Sequence, residues 1–358
     1  MKSISIQKYF FLLLEVIVAL AILILGYVFL KSWEGSKLFM VIVAIIWGVG
    51  SVAILFYVLN SIAETLPRKT RSIVLPVVFA GPALLLLLWF LILPTIRTFS
   101  LSFFNDTGRQ FIGLTNYGNV FTDGVFWESF RNNIYWLVFG TSGSVGIGLL
   151  IAVLADKSRF ENIYKALIFL PMAISFVGAG VIWKFIYAYK GEGANIVEIG
   201  LLNAIITGLG FKAQAWLQLP FWNNLLLIII MVWLQTGYAM VILSSAIKGI
   251  PSSLIEAAKV DGATEFQVFR HIMIPEIMGT LITVSTTIVI FSLKLFDIVR
   301  VMTGGNFGTN VIANEFYLRQ FTQGRTGEAS ALAILLLVAV VPVLLYNLRQ
   351  FQGRKAFK

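Results

Sequence analysis

The sequence predicts an all-α integral membrane protein, and three observations support this fold class. Of its 358 residues, 58% are hydrophobic and 12% are charged, whereas soluble proteins carry about 25% charged residues. The mean hydropathy is +0.89. Apolar runs of roughly 20 residues, the length that a helix needs to cross ~30 Å of hydrocarbon, recur along the chain. We therefore expect a bundle of transmembrane helices.

Eight runs meet this criterion, and each is expected to form one transmembrane helix. The runs cover approximately residues 9–30, 38–59, 73–96, 134–155, 166–187, 221–247, 277–299 and 329–348. The first run follows Lys2 and Lys8 as a signal peptide would, but it is too long, and no small-residue cleavage site precedes Lys31. This run is therefore expected to remain as an anchor.

The loop charges predict the orientation of the chain. An even number of spans places both termini on one side, and Lys and Arg are more numerous in the loops on that side. Because cytoplasmic loops carry an excess of these residues, both termini are expected in the cytoplasm. The same rule accounts for the net charge of +10, so this charge does not indicate a nucleic-acid partner.

A polar stretch suggests where the chain divides. The segment 60–72 contains Pro67 and three cations and is expected to be a cytoplasmic linker. Residues 1–72 are then a two-helix membrane anchor with its linker, and residues 73–358 are a six-helix core. The external loops 97–133 and 188–220 are rich in aromatic residues and Gly, which indicates either a partner surface or an interfacial aromatic belt.

Several chemistries are excluded by composition. The chain has no Cys and one His, so disulfides, thiol nucleophiles and clusters of thiolate or imidazole metal ligands are not expected. It also has no Gly-Lys-Ser or Gly-Lys-Thr phosphate loop, so another polypeptide must hydrolyse any ATP that is used. His271 lies in a polar segment, where a solvated or capping role is favoured over catalysis. We expect no metal, no cofactor and no enzymatic activity on this chain.

The segment 250–275 is the longest polar stretch and is predicted to form two short helices. Ser253 precedes Glu256 by three residues, and Thr264 precedes Gln267 by the same distance. Both spacings are typical of a capping box, in which side chains satisfy the free N–H groups at the start of a helix.

The two short helices are expected to form an elbow on the cytoplasmic face. Gly262 supplies the break between them, because glycine tolerates the positive φ of a helix C-terminus. Pro275 is expected to end the second helix before the next span. The adjacent Ala257 and Ala258 offer a small-residue surface that another protein can approach closely, beside the carboxylate of Glu256.

The spacing E-A-A-x-x-D-G-A-x8-I-x-x-P, which begins at Glu256 and ends at Pro275, resembles the EAA loop of permease subunits in ATP-binding-cassette importers. The resemblance extends over about residues 73–348 and is strongest to the carbohydrate-uptake group that includes the larger permease of the maltose importer. It implies a coupling helix that sits in a cleft of the ATPase subunit. The coupling residues it implies are Glu256, Ala257, Ala258, Asp261, Gly262, Ala263 and Pro275.

Two departures from the maltose-type pattern bear on the solute. The chain has an extra N-terminal helix pair and lacks the large periplasmic insertion, so contacts made by that insertion are not carried over. The stretch 301–317 is more similar to the α-glucoside branch of these permeases.

A stripe on the sixth span is a candidate solute site. Met231, Gln235 and Tyr238 share one helical face and combine an amide, a phenol and a soft apolar group. Such a face suits sugars, because an aromatic ring stacks on a pyranose while polar groups bind its hydroxyls. The resemblance adds Ser292 and Leu295 as lumen-lining positions. In the alternative, Gln235 bonds a neighbouring helix.

Lys294 and Asp297 are ionisable residues in the predicted seventh span, where such groups are costly unless paired or facing water. Their i, i+3 spacing would let them form an intramembrane ion pair of structural role. The competing interpretation is an ion-coupling site, which would make the chain a secondary transporter.

The resemblance implies a channel-forming permease of an ATP-driven importer in the bacterial inner membrane. It would move a sugar or glycoside, such as an oligosaccharide, an α-glucoside or a glucoside osmolyte, by alternating access. The implied partners are a second homologous permease, two ATPase subunits that hold ATP and magnesium, and an extracytoplasmic solute-binding protein. The alternatives are an ion-coupled carrier, an importer permease for a non-sugar solute, and a membrane enzyme, although no carboxylate-rich cytoplasmic site supports an enzyme.

Overall fold

A computed structural model describes residues 6–155, 159–191 and 200–355. Within these ranges every named element is a helix, and the only extended pairing is an isolated bridge between Phe104 and Phe111. The predicted all-α class is therefore confirmed for this part of the chain. The helices are α1 (Ile6–Ser32), α2 (Lys37–Thr65), α3 (Arg68–Leu87), α4 (Leu93–Leu101), α5 (Thr115–Thr122), α6 (Gly124–Tyr135), α7 (Thr141–Ala155), α8 (Glu161–Phe169), α9 (Phe176–Ile186), α10 (Leu201–Gly208), α11 (Trp222–Lys248), α12 (Ser252–Val260), α13 (Glu265–Val268), α14 (Ile274–Leu293), α15 (Asp297–Met302), α16 (Ile312–Tyr317) and α17 (Thr326–Lys355).

Short helical turns of other types join several of these helices. Two 3₁₀ turns cover Leu170–Ala173 and Trp216–Gln218. The π-turns, in which the backbone bonds to the fifth residue along, cover Leu88–Ile92, Trp136–Gly140, Phe269–Met273 and Leu318–Thr322. As a result α3 continues into α4, α6 into α7 and α13 into α14 as long helices.

Seven continuous helices in the described ranges are long and apolar enough to cross a membrane. They are Phe10–Ser32, Lys37–Thr65, Arg68–Leu101, Gly124–Ala155, Trp222–Lys248, Glu265–Leu293 and Thr326–Tyr346. The predicted fifth span, 166–187, is instead a pair of helices bent by 101°. Pro171 lies in the 3₁₀ turn that follows α8, and Ser175 caps α9 by accepting a hydrogen bond from Gly178 N at 3.0 Å. Hydropathy alone does not reveal this break, because the bend is made of apolar residues.

The predicted seventh span, 277–299, has different ends in the structure. It begins at Glu265 and ends at Leu293, so the prediction that Pro275 ends a helix is wrong. Proline removes an i→i−4 bond and its ring clashes with the carbonyl four residues back. The π-turn Phe269–Met273 changes the local bonding just before Pro275, so the helix passes through this residue. Pro94 follows the π-turn Leu88–Ile92 in the same way.

By internal packing the chain divides into one unit that ends at Ile96 and another that begins at Arg97. Most of the third span therefore packs with the N-terminal helices, whereas the sequence suggested a boundary after residue 72. In the first unit α1 and α2 form a helical hairpin. Trp33 lies between the rings of Phe29 and Phe39 at its turn, with centroids 5.2 and 4.9 Å away.

The core of the second unit is built around α11, whose side chains Leu227, Ile230 and Leu243 are fully buried. Helix α7 approaches α11 closely because it carries glycine at the contact. A Cβ atom on Gly148 would lie 2.9 Å from the Met240 backbone nitrogen. Small residues allow such backbone approach in membrane helix pairs.

Gly148→Val is expected to force α7 and α11 apart and to destabilise the chain by about 1–3 kcal/mol, as overpacking does. The matched control is Gly146→Val on the same helix, because a Cβ atom at Gly146 meets nothing within 4 Å. Thermal unfolding of the detergent-purified chain measures both variants. Equal unfolding midpoints for the two valine variants would contradict this packing.

Candidate coupling and solute sites

The break at Gly262 has the geometry that the sequence predicts. Gly262 has φ of +80°. Its N–H donates to the Lys259 carbonyl at 3.1 Å, and the Ala263 N–H donates to the Ala258 carbonyl at 2.9 Å. These two bonds are a Schellman motif, which closes the C-terminus of α12 and satisfies its free carbonyls. The predicted turn is therefore confirmed.

Only one of the two predicted helix caps is formed. Thr264 and Gln267 make a reciprocal capping box, with Thr264 N to Gln267 Oε1 at 2.7 Å and Gln267 N to Thr264 Oγ1 at 3.3 Å. The predicted cap by Ser253 is wrong, since α12 begins at Ser252 with Pro251 as its N-cap residue and no side-chain cap. Ser253 is already the second residue of the helix, so its side chain is not at the capping position.

The elbow, residues 250–275, presents apolar side chains to its surroundings. Leu254, Val260 and Phe266 are 44%, 87% and 66% exposed. Lys259 and Glu265 form an ion pair of 2.8 Å across the turn, which connects α12 with α13. Clustered exposed apolar side chains on a polar segment are typical of a surface that binds another protein.

The predicted coupling residues lie together on this elbow. Glu256 and Ala257 are exposed on α12, Ala258 is half-buried, and Asp261, Gly262 and Ala263 line a hollow of about 270 Å³. Pro275 is exposed on the helix that continues into α14.

A charged cluster that the sequence did not predict ties the end of α11 to α8. Glu161, in the first turn of α8, pairs with Lys165 one turn along and with Lys248 at 2.6 Å. Lys165 also donates to Ser244 Oγ on α11. Lys248 is the last residue of α11, two residues before the elbow begins, so the cluster positions the entry to the elbow. The i, i+4 spacing of Glu161 and Lys165 was the available signal.

The stripe on α11 lies mostly inside the protein. Met231 and Gln235 are buried, and Tyr238 is half-buried. Ser292 Oγ lies 3.6 Å from Met231 Sδ, so the structure brings these two predicted residues together. Leu295 is also buried and lies beyond the end of α14. Of the predicted solute residues, Tyr238 is the most accessible in this conformation.

Gln235 faces a neighbouring helix. A Cβ atom on Gly140 would lie 3.2 Å from Met231 Sδ, and one on Gly148 would lie 2.6 Å from Ala239 Cβ. Helices α7 and α11 therefore run parallel, and from the spacing of these two contacts we infer that Ser144 is level with Gln235. Both side-chain oxygens are buried without a hydrogen-bond partner among the described residues. Gln235 Oε1 therefore does not make the interhelical hydrogen bond of the alternative among the described residues, although the side chain contributes to the packing of α11.

Lys294 and Asp297 do not form the predicted ion pair in the described part of the chain. Lys294 is exposed and follows the last residue of α14, while Asp297 is half-buried and begins α15. Phe296, between them, has φ of −133° and ψ of −49°, which is not helical. An i, i+3 ion pair between these residues requires a continuous helix, but the helix ends at Leu293.

At the opposite end of α11, asparagine side chains hold a glycine-rich loop, residues 303–311. Asn223 Nδ2 donates to the Phe307 carbonyl at 2.7 Å. Asn132 and Asn224 both donate to the Gly308 carbonyl, at 2.9 and 3.1 Å. Phe307 has φ of +60°, which is rare for a residue with a side chain. The sequence showed the glycines but not the amides that fix them, because these amides come from distant helices.

A buried arginine organises the same end of the molecule. Arg319 is 1% exposed and pairs with Asp123, with Glu315 at 2.7 Å and with Glu328 at 2.9 Å. Its guanidinium thereby joins α6, α16 and α17. Arg319 occupies the space between these carboxylates, and the described residues contain no group of three or more His, Cys, Asp or Glu that could hold a metal.

Comparison with known proteins identifies relatives of this chain. A family model described as "Binding-protein-dependent transport system inner membrane component" matches residues 144–358. The osmoprotective compounds uptake permease protein GgtC of Synechocystis is 54% identical over 280 residues, 78% of this chain and 100% of that relative. The alpha-glucoside transport system permease protein AglF of Rhizobium meliloti is 48% identical over 275 residues, 76% of this chain and 81% of that relative.

A solved structure has the same fold. A chain from a bacterial ABC transporter that imports the acidic polysaccharide alginate matches with a TM-score of 0.66 at 22% identity, over 76% of this chain and 93% of that chain. The family that the elbow motif suggested is thus confirmed. The chain belongs to the binding-protein-dependent transport system inner membrane components and is a multi-pass permease of an ATP-binding-cassette importer.

Proposed function

We propose that the chain forms part of the translocation path of an importer for a sugar or glycoside and couples it to ATP hydrolysis. The observation that carries this proposal is the elbow, a helix–turn–helix with exposed apolar side chains and a left-handed Gly262. The names of the relatives support the solute class, since one takes up osmoprotective compounds and another transports alpha-glucosides.

We further propose eight spans with both termini in the cytoplasm. In this arrangement the bent pair α8 and α9 serves as one span of the core 73–358, and the anchor 1–72 precedes the core. The elbow and the cluster around Glu161 then face the cytoplasm. The asparagine-held loop 303–311 faces outward.

The proposed partners follow from this arrangement. A second homologous permease would complete the path, two ATPase subunits would hold ATP and magnesium, and a binding protein would deliver solute from outside. A solved alginate transporter of the same fold is in complex with a periplasmic protein that binds an alginate pentasaccharide, which supports the last of these partners.

The helix that carries the coupling motion is continuous. Because α13 joins α14 without a break, a displacement of the elbow by the ATPase would move the whole helix Glu265–Leu293. On the other side of the elbow, Lys248 is held to Glu161. The elbow would therefore act as a lever between α11 and α14 and change access to the path.

Within the path, we propose that Tyr238 is the solute contact that α11 contributes. Gln235 lies about one turn before Tyr238 on α11, and the contact between Met231 and Ser292 is buried in the core. An aromatic ring offers a stacking face for a pyranose, and its hydroxyl offers a hydrogen bond. Gln235 would support Tyr238 through the packing of α7 on α11.

Tyr238→Ala is expected to lower the apparent transport affinity for sugar about tenfold, because it removes both a stacking face and a hydroxyl. Tyr238→Phe keeps the ring and is expected to cost only about 0.5–1.5 kcal/mol for one neutral hydrogen bond. Gln235→Ala tests the packing role, since it should reduce thermal stability more than affinity. Wild-type uptake kinetics in the correctly assembled Tyr238→Ala transporter would place the solute on the partner permease.

Uptake into proteoliposomes tests the function itself. The assembled transporter, with binding protein outside and ATP inside, should accumulate labelled methyl α-glucoside, sucrose or trehalose. Uptake driven by an imposed proton or sodium gradient without ATP would support the ion-coupled carrier instead. ATP-driven uptake of glycine betaine or methionine without any sugar would support the non-sugar importer.

A further inference from the structure

A hollow of about 200 Å³ lies where α9 ends and α11 begins, and its lining is aromatic. Tyr187, Tyr189, Trp216 and Phe307 contribute rings to this aromatic hollow. It lies at the end of α11 away from the elbow. A helix of 27 residues, the length of α11, separates the two ends by ~40 Å. The hollow is therefore separate from the coupling surface, and Met231, the nearest residue of the solute stripe, lies ~14 Å along α11 from the first residue of that helix.

The walls of the aromatic hollow are held in place by buried hydrogen bonds. Asn203 is fully buried and accepts a bond from Trp216 Nε1 at 3.0 Å, while its own amide donates to the Ala188 carbonyl at 2.8 Å. The Tyr187 hydroxyl donates to the Leu226 carbonyl at 3.0 Å. These bonds connect the two stretches that line the hollow, so the hollow is formed before any ligand arrives.

Phe307 is placed at the hollow by strained backbone. Its φ of +60° lies in the left-handed region, which is unfavourable for a residue that is not glycine. The ring is nevertheless 53% exposed, so burial of the ring does not repay this strain. The Asn223 amide holds the Phe307 carbonyl at 2.7 Å and thereby fixes the ring position. Strain of this kind, kept by the surrounding structure, is characteristic of functional positions.

The polar groups of the hollow indicate the class of ligand. Lys184 and Gln218 line it, and neither side chain has a hydrogen-bond or ion-pair partner among the described residues. Among the described residues no carboxylate lines the hollow, and the Lys184 cation repels other cations, so a quaternary ammonium ligand is disfavoured despite the aromatic rings. Rings that stack beside an amide and an ammonium donor suit a hydroxyl-rich pyranose.

We infer that the aromatic hollow binds one pyranose ring of a neutral glycoside at the outer end of the transport path. The volume suits one sugar ring rather than a longer chain. This inference rests on the proposed function and adds to it an entry site that the solute occupies before it reaches Tyr238. An interfacial aromatic belt would place rings at the same depth, but it requires neither a concave site nor a strained Phe307.

Phe307→Gly provides a sharp test, because glycine tolerates the positive φ and the ring is lost without added backbone strain. The matched control is Phe211→Ala, which removes an aromatic ring that is 69% exposed and does not line the hollow. Saturation-transfer NMR measures binding of methyl α-D-glucopyranoside to the assembled transporter in nanodiscs without binding protein. Glycine betaine, a zwitterion that carries a quaternary ammonium group, serves as the comparison ligand.

We expect saturable binding of the glucoside, weakened about three- to tenfold by Phe307→Gly and unchanged by Phe211→Ala. No binding to the wild type, equal binding by both variants, or preferential binding of glycine betaine would overturn the inference. ATP-driven uptake of the same glucoside is measured on the same preparation. If uptake is intact and Phe307→Gly binds the glucoside as the wild type does, only the entry site is contradicted. If no glycoside is taken up at all, the proposed function is contradicted.

Discussion

Arg319→Met is expected to destabilise the chain by about 3–5 kcal/mol, the usual cost of removing one partner from a buried ion pair. The guanidinium is 1% exposed and joins three carboxylates from different helices. Without it, Asp123, Glu315 and Glu328 would repel one another in a partly buried site. Thermal unfolding of the purified chain measures the loss.

The same site offers a matched control. Arg325 is 54% exposed and lies 3.4 Å from the Glu328 carboxylate, so Arg325→Met removes a surface pair worth about 0–1 kcal/mol. Arg319→Lys should be intermediate, because an ammonium group does not form the planar fork that reaches all three acids. If Arg319→Met and Arg325→Met unfold at the same temperature, the cluster does not hold this end of the molecule together.

Gly262→Val is expected to uncouple ATP hydrolysis from transport while leaving the membrane helices folded. A Cβ atom at Gly262 meets nothing within 4 Å, so the substitution acts only through the backbone. A β-branched residue at φ of +80° costs about 1–2 kcal/mol or more, which is relieved by rotation of α12 against α13. The exposed apolar side chains of the elbow would then no longer match the surface of the ATPase.

The measurements for Gly262 separate folding from coupling. Asn tolerates the left-handed region better than other residues, so Gly262→Asn should retain most activity and serves as the control. Solute-stimulated ATP hydrolysis and co-purification of the ATPase subunit should fall in Gly262→Val but not in Gly262→Asn. Full stimulation with normal ATPase binding in this variant would show that the geometry of the elbow is not required.

Local signals in the sequence predicted the elbow well. Gly262 and the pair Thr264 and Gln267 act over a few residues, and backbone sterics and capping chemistry at that range do not depend on the rest of the fold. Hydropathy likewise located the apolar helices, because a helix that crosses hydrocarbon needs a long apolar run. The predicted cap by Ser253 does not form because the N-cap residue is Pro251, so the helix starts two residues earlier than the capping box requires.

Features that depend on tertiary contacts could not be predicted from local patterns. The bend at Pro171 and the π-turn before Pro275 change the helix path without changing hydropathy. The predicted pairing of Lys294 with Asp297 assumed a helix that continues through both residues, but the helix ends at Leu293. Arg319 and Asp123 are 196 residues apart, so no spacing rule connects them.

The candidate solute stripe shows the same limit. Periodicity correctly placed Met231, Gln235 and Tyr238 along α11, but it does not predict which neighbouring element or cavity that helical face contacts. In the structure most of that face packs against α7, because glycines such as Gly148 bring the two helices together. Tyr238, near the edge of this contact, keeps partial exposure.

Thiol labelling tests whether the elbow is a cytoplasmic surface that binds the ATPase, because the chain contains no cysteine and a single introduced thiol is unique. Val260→Cys lies at the exposed tip of the elbow, and Leu209→Cys is a control in the loop predicted to be external. We expect a membrane-impermeant maleimide to label Cys at position 260 only in inside-out vesicles, and we expect bound ATPase subunits to protect it. The position 209 control should react only in right-side-out vesicles. Labelling of position 260 from outside, or labelling that the ATPase leaves unchanged, would contradict a cytoplasmic coupling elbow.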